Sequence, residues 1–150
     1  MHHYTGSGLD NVFLANGYKI HTTAYGRGIS IENIDGLHRA IGQWLVGQPR
    51  PLDGAALRFL RLEMDLSQKR LGEIIGVTEQ NVRRWERLRL RPISGPADRL
   101  IRVLYGEHIG HHGSVRRIAD RLAELDRTPP RGRVPMRKTR QGWKVERKAA

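Results

Sequence analysis

From Leu66 to Glu86 the chain carries two helix-start signals eleven residues apart, with a glycine shortly before the second. Ser67 and Thr78 each offer a side-chain oxygen to an orphan backbone N–H in the first turn of a helix. Each is preceded by an apolar residue and followed four positions later by another: Leu66 with Leu71, and Val77 with Val82. Such pairs fix the angle at which a chain turns into a helix. Gly76 stands where the first helix must stop within one residue, and glycine accepts the left-handed backbone that such a stop needs. The spacing predicts a short helix, a tight turn and a second short helix.

The side-chain pattern gives this pair a direction. Leu71, Ile74, Ile75, Val77, Val82 and Trp85 read as the inward set. Glu79, Gln80, Arg83, Arg84 and Arg87 are left outside, with Asn81 near the start of the second helix. The plain alternative is a solvated face. Two arginines beside a glutamine and an asparagine also suit base edges, since arginine bonds guanine O6 and N7 and the amides bond adenine N6 and N7. In helix-turn-helix geometry the second helix enters the major groove. Lys69 and Arg70 lie in a first helical turn, where the dipole disfavours cations, and contact with phosphate accounts for them.

The rest of the chain divides around this unit. Asn11–Leu14 and Tyr18–Thr23 are β-like, and Asn16-Gly17 between them is a hairpin signal. Ile34, Leu37, Ile41, Trp44 and Leu45 follow helical spacing up to Val46, with Asp35 at the positive end of the dipole. Gly47 to Pro51 reads as a linker. A helix with Leu57, Leu60 and Met64 on one face precedes Ser67. Another, with Leu100, Ile101 and Leu104 inward, follows Gly95-Pro96. Residues 113–127, with Val115, Ile118, Leu122 and Leu125, read as one more amphipathic helix. Residues 128–150 hold eight Lys or Arg against one Glu, with Pro129, Pro130 and Pro135, and read as a disordered basic tail. The expected domains are a β-plus-helix module over 1–48, a helical domain over 52–109, the added helix and the tail.

Leu57-Arg58-Phe59-Leu60-Arg61, Leu66-Ser67-Gln68, Ile75-Gly76-Val77-Thr78 and Val82-Arg83-Arg84-Trp85-Glu86 occur in order and at fixed spacing. Together they resemble the Xre/Cro/repressor-type helix-turn-helix family over about a third of the chain. The resemblance implies a mainly α, five-helix domain that regulates transcription, with Gln68 on a phosphate at a helix N-terminus. The phosphate set is then Gln68, Lys69, Arg70, Thr78 and Arg87. It also implies a structural ion pair between Arg61 and Glu86. It further implies that Glu79, Gln80, Asn81, Arg83 and Arg84 face the groove as the candidate base contacts, and similarity to MqsA-type antitoxins singles out Gln80 and Arg84. The segments Ser7–Val12 and Ile34–Leu37 resemble the region before the helix-turn-helix in MqsA/YgiT-like regulators. Zinc-binding members carry paired cysteines there, and this chain has none. The family glycine two residues after Glu86 is also absent, so the following loop is expected to be longer or differently shaped.

Charge and composition narrow the function classes. The net charge of +12 rises along the chain, +1 over residues 1–52, +3 over 53–109 and +8 over 110–150, which favours polyanionic partners. No cysteine excludes disulfides and thiolate metal sites. No apolar run reaches membrane-spanning length and no signal peptide is evident, so a soluble cytoplasmic, nucleoid-associated protein without membrane contact is expected. No catalytic constellation is present, so no enzyme activity and no cofactor are expected. His108, His111 and His112 in a glycine-flanked loop read as surface residues rather than metal ligands. The first functional class is a regulator, read as a repressor, that binds double-stranded DNA as a homodimer. The second is an antitoxin or antiactivator that holds a toxin or other regulatory protein through its N-terminal module. The basic tail reads as an arm that raises nonspecific DNA affinity.

Overall fold

Ile34, Leu37, Ile41 and Leu45 form a helical stripe, and they are the first of several such stripes in the chain. The computed structural model describes residues 1–110, 136–140 and 142–145. Its elements are β1 (His2–His3), β2 (Phe13–Leu14), β3 (Tyr18–Thr23), β4 (Gly26–Ile31), α1 (Ile34–Gly47), α2 (Gly54–Glu63), α3 (Gln68–Ile75), α4 (Glu79–Arg87), α5 (Gly95–His108), β5 (Met136–Thr139) and β6 (Gly142–Val145). Five helices thus occur among the described residues. Four lie within 52–109, and the fifth, α1, comes from the N-terminal segment and packs on α2 and α5.

α2 is the centre of the helical domain. It touches α1, α4 and α5. Leu57 and Leu60 on its inner face are fully buried, as are Leu71 of α3, Val82 of α4 and Ile101 of α5. Fully burying one such side chain contributes about 1.5–3 kcal/mol. Two inward readings fail. Ile74 is 38% exposed and Leu100 is 36% exposed. In each case the neighbouring helix position takes the core: Ile75 packs there on α3, and Ile101 on α5. The inner stripe of α5 is instead Ala97, Asp98, Ile101, Arg102 and Tyr105.

Asp98 and Arg102 bring charge into that core. Arg102 is 1% exposed. Its Nε donates to Asp98 Oδ1 at 2.6 Å, and its Nη atoms donate to the carbonyls of Val46, Gln48 and Arg50 at 3.2, 2.6 and 2.7 Å. Asp98 Oδ2 accepts from Leu52 N at 2.6 Å. Gly47 to Pro51, expected to be a linker, is therefore held against α5 by one ion pair. A buried pair is costly to break, at about 3–5 kcal/mol for loss of one partner.

The N-terminal strands pair differently from expectation. The Asn16-Gly17 hairpin does not form. β3 pairs instead with β4, antiparallel, from Tyr18↔Ile31 to Thr23↔Gly26, while β2 pairs with β1. Gly17 has φ +75°, but Asn16 does not share the positive φ that a type I′ turn needs at both positions. Gly17 O accepts from Glu32 N at 2.8 Å, so Gly17 extends the β3–β4 ladder rather than closing a turn. Six pairs with β4 outweigh what a two-residue strand offers. Tyr4, Leu9 and Leu14 join the core cluster. Tyr4 O–H lies 2.7 Å from His38 Nε2, and His38 Nδ1 lies 2.8 Å from Glu63 Oε1. With the neutral imidazole proton on Nδ1, tyrosine donates to histidine and histidine to glutamate, which links the N-terminus, α1 and α2.

Part of the segment read as a disordered tail is also ordered: β5 pairs with β6, antiparallel, from Met136↔Val145 to Thr139↔Gly142. Gly142, with φ +106°, opens β6 at the closed end of this hairpin. The helix expected over 113–127 lies outside the described residues, as do His111, His112 and the remainder of the tail.

Burial pushes the Tyr105 phenol up to about 12, with the Glu63 carboxylate adding to the effect and Arg39 opposing it. The native state therefore keeps this proton while the unfolded chain, near 10, loses it. Below pH 10 the phenol leaves stability unchanged. Between pH 10 and 12 stability should fall by up to roughly 3 kcal/mol. Urea titrations at pH 9 and pH 11 check this, and Tyr105→Phe should show a smaller drop than the unmodified chain.

Candidate nucleic-acid interface

Local chemistry sets the two helices that carry the site. Ser67 Oγ accepts from Arg70 N at 3.0 Å and caps α3. Thr78 Oγ1 accepts from Asn81 N at 3.1 Å and caps α4. Between them Gly76 takes φ 78° and ψ 30°. Its N–H and that of Val77 both donate to Gly72 O at 2.9 Å, which satisfies the end of α3 and reverses the chain. Leu71 and Val82 face inward across the turn and are fully buried.

One arginine fixes α4 in place. Arg61 of α2 is bidentate to Glu86 of α4, Nε to Oε2 at 2.7 Å and Nη2 to Oε1 at 2.8 Å. Its Nη1 donates to Leu66 O at 2.9 Å, just before the α3 cap. The same side chain thus joins α2, the start of α3 and the last turn of α4. Both partners are buried. Gln68 Nε2 lies 3.4 Å from Glu86 Oε1, so the Gln68 amide is partly engaged within the protein. The N-terminus of α2 meets the end of α4 so closely that a Cβ at Gly54 would collide with the Trp85 carbonyl.

The outer face of α4 is open. Glu79, Gln80, Arg83, Arg84 and Arg87 are exposed and Asn81 is half-buried, whereas Val82 and Glu86 are buried. Arg83 is paired with Glu79 at 3.2 Å, and Arg70 with Glu73 at 3.0 Å. Thr78, Lys69 and Arg70 are exposed beside them on the α3 side. Among the described residues, Lys69, Gln80, Arg84 and Arg87 have no side-chain partner. Gln80 and Arg84 are four residues apart and so share one strip of the helix. Trp85 is half-buried against the core.

The segment after α4, residues 88–94, is pinned to the start of α2. Leu88 N donates to Arg84 O, and Arg91 N to Leu88 O. Ala55 N and Gly54 N donate to the carbonyls of Arg89 and Arg91, and Ile93 N donates to Leu52 O. The first amides of α2 thus hold the chain just beyond α4. Sequence reasoning missed Arg89, whose Nη2 donates to Gly8 O at 2.6 Å and lies 3.3 Å from Asp10 Oδ1. That contact spans about 80 positions, and nothing local signals it. His108 ends α5 beside the Tyr105 ring. Among the described residues no cluster of potential metal ligands occurs, and no helix is long and apolar enough to cross a membrane.

Residues 57–95 match the family model described as Helix-turn-helix. This part of the chain is a helix-turn-helix. The match begins within α2, takes in α3 and α4, and ends at the first residue of α5. No curated protein and no solved structure matches the chain.

Because Arg61 and Glu86 desolvate each other, removing either alone leaves an unpaired buried charge. Arg61→Met should cost about 3–5 kcal/mol in thermal or urea unfolding. Arg61→Met with Glu86→Leu should recover much of that loss. A double variant as unstable as the sum of the single ones would show that the pair is not coupled.

Proposed function

We propose that this chain is a sequence-specific double-stranded DNA-binding transcriptional regulator that reads the major groove with α4. The observation that carries the reading is the outer strip of α4. Gln80 and Arg84 stand there exposed and unpaired on a helix whose opposite side is locked by Val82 and Glu86. An amide and a guanidinium one turn apart are suited to adjacent base pairs. Lys69, Arg87 and the start of α3 flank that strip and are suited to phosphates, which position the helix without carrying sequence information. Arg83 and Arg70, each held by a carboxylate on its own helix, have less to offer until those pairs open. In our reading the protein acts as a repressor and binds as a homodimer on two half-sites about one helical turn apart.

Selection of bound sequences from a random duplex pool tests this directly. A symmetric consensus should emerge. Gln80→Ala and Arg84→Ala should each relax preference at one position, costing about 1–3 kcal/mol on the selected site. Equal weakening on selected and random duplex would count against base readout.

One observation favours an additional hold on a partner protein. Trp44 and Leu90 are exposed at a cleft of about 260 Å³, floored by Leu9, Leu52 and Ala55. Trp44→Ala with Leu90→Ser should leave DNA affinity unchanged and abolish co-purification of any chain encoded beside this one. Retention of such a chain by the variant would remove the cleft as its seat.

A further inference from the structure

The β3–β4 ribbon has almost no protein beneath it. Ten of its twelve residues are exposed, and only Tyr18 and Ile31 at its base pack toward the core. A two-stranded ribbon with both faces in water is marginal on its own, which raises the question of what it lies against. From Tyr18 to Ile31 there is no carboxylate, while Lys19 and Arg27 are cationic. Among the described residues neither has a side-chain partner.

The register places these two cations on opposite faces. Cross-strand partners share a face, so Thr22, Ile20 and Tyr18 lie with Arg27, Ile29 and Ile31. Lys19, His21 and Thr23 lie with Ser30, Gly28 and Gly26 on the other. Tyr25, fully exposed, stands at the tip. A second copy of the ribbon would bring like charges together. A groove of duplex DNA offers the opposite: phosphate along both walls, and in the major groove a width of about 12 Å that admits a two-stranded ribbon. The N-terminal segment that carries the ribbon is also fastened beside α4, through Arg89 to Gly8 and Asp10.

We propose that the β3–β4 ribbon is a second DNA-contacting surface, with Lys19 and Arg27 set against phosphates on opposite walls of a groove. This rests on the reading of α4 as the groove-reading helix. The ribbon adds affinity and orientation, and α4 keeps the base preference.

The test uses the full chain and the duplex selected from the random pool. Each phosphate contact contributes about 0.9 to the slope of log affinity against log salt. Lys19→Ala with Arg27→Ala should therefore flatten the slope by roughly 1.8 and leave base preference unchanged. Far-UV circular dichroism checks that the helices are intact in the variant. An unchanged slope, with Arg84→Ala still relaxing preference, overturns the ribbon proposal alone and leaves the α4 reading standing. Failure of the unmodified chain to select any duplex overturns both. Conversion of a dimer to a monomer by Ile20→Ser with Ile29→Ser, with the slope of the cation variant unchanged, assigns the ribbon to a second copy and overturns the proposal.

Discussion

Everything that α4 presents to the outside depends on Arg61. A helix of nine residues is too short to hold itself in water. It persists because its inner side is fastened, by Val82 in the core and by Glu86 on the guanidinium. The fork geometry matters. Two parallel hydrogen bonds to one carboxylate fix the rotation of α4 about its axis, and the third, to Leu66 O, fixes the start of α3 against the same point. Lysine supplies a charge but not that fork. That rotation decides which way the strip shared by Gln80 and Arg84 faces, and the proposed groove reading needs it fixed.

The second buried arginine solves a different problem. Gly47 to Pro51 contains two prolines and a glycine, and a segment of that composition is ordinarily a free tether. Its carbonyls cannot find partners in a helix or sheet. Arg102 collects two of them, from Gln48 and Arg50, together with that of Val46 in the last turn of α1, and Asp98 takes the Leu52 amide while neutralising the guanidinium. The N-terminal segment and α2 consequently behave as one packed body. The Tyr4–His38–Glu63 chain and the Arg89 contact to Gly8 reinforce that joint from two other sides.

The sequence made the local part of this arrangement legible. The caps at Ser67 and Thr78, the reversal at Gly76 and the outer strip of α4 all follow from spacings of three to eleven residues, within reach of propensity and periodicity. Strand pairing was harder. Asn16-Gly17 is a strong turn signal in isolation, yet Gly17 was taken by the longer ladder with β4, whose glycines hide its strand character. Ile74 and Leu100 misled for a related reason: each is apolar and lies one position from the core stripe, and a single sequence does not show which of two neighbours wins. Asp98 and Arg102 stand at i and i+4, the spacing of an ordinary surface pair, and nothing in the pattern announces that the segment from Val46 to Leu52 closes over them. The Arg89 contact required the tertiary fold itself.

Charge on α3 and α4 is of two kinds, paired on its own helix and unpaired. Seven cationic or amide side chains stand on or beside the outer side of these helices: Lys69, Arg70, Gln80, Asn81, Arg83, Arg84 and Arg87. Two of the arginines are held by Glu73 and Glu79 on their own helices, with ion pairs that in water contribute only about 0.3–0.5 kcal/mol each. Such pairs open at little cost against a phosphate, so Arg70 and Arg83 are suited to adjust to a backbone whose path varies. Gln80 and Arg84 have nothing to release and nothing to hold them except the rotation of α4. The helix therefore fixes where Gln80 and Arg84 start while leaving their side chains free to settle, and in the proposed reading they settle on base edges. The Arg61–Glu86 pair holds that starting point.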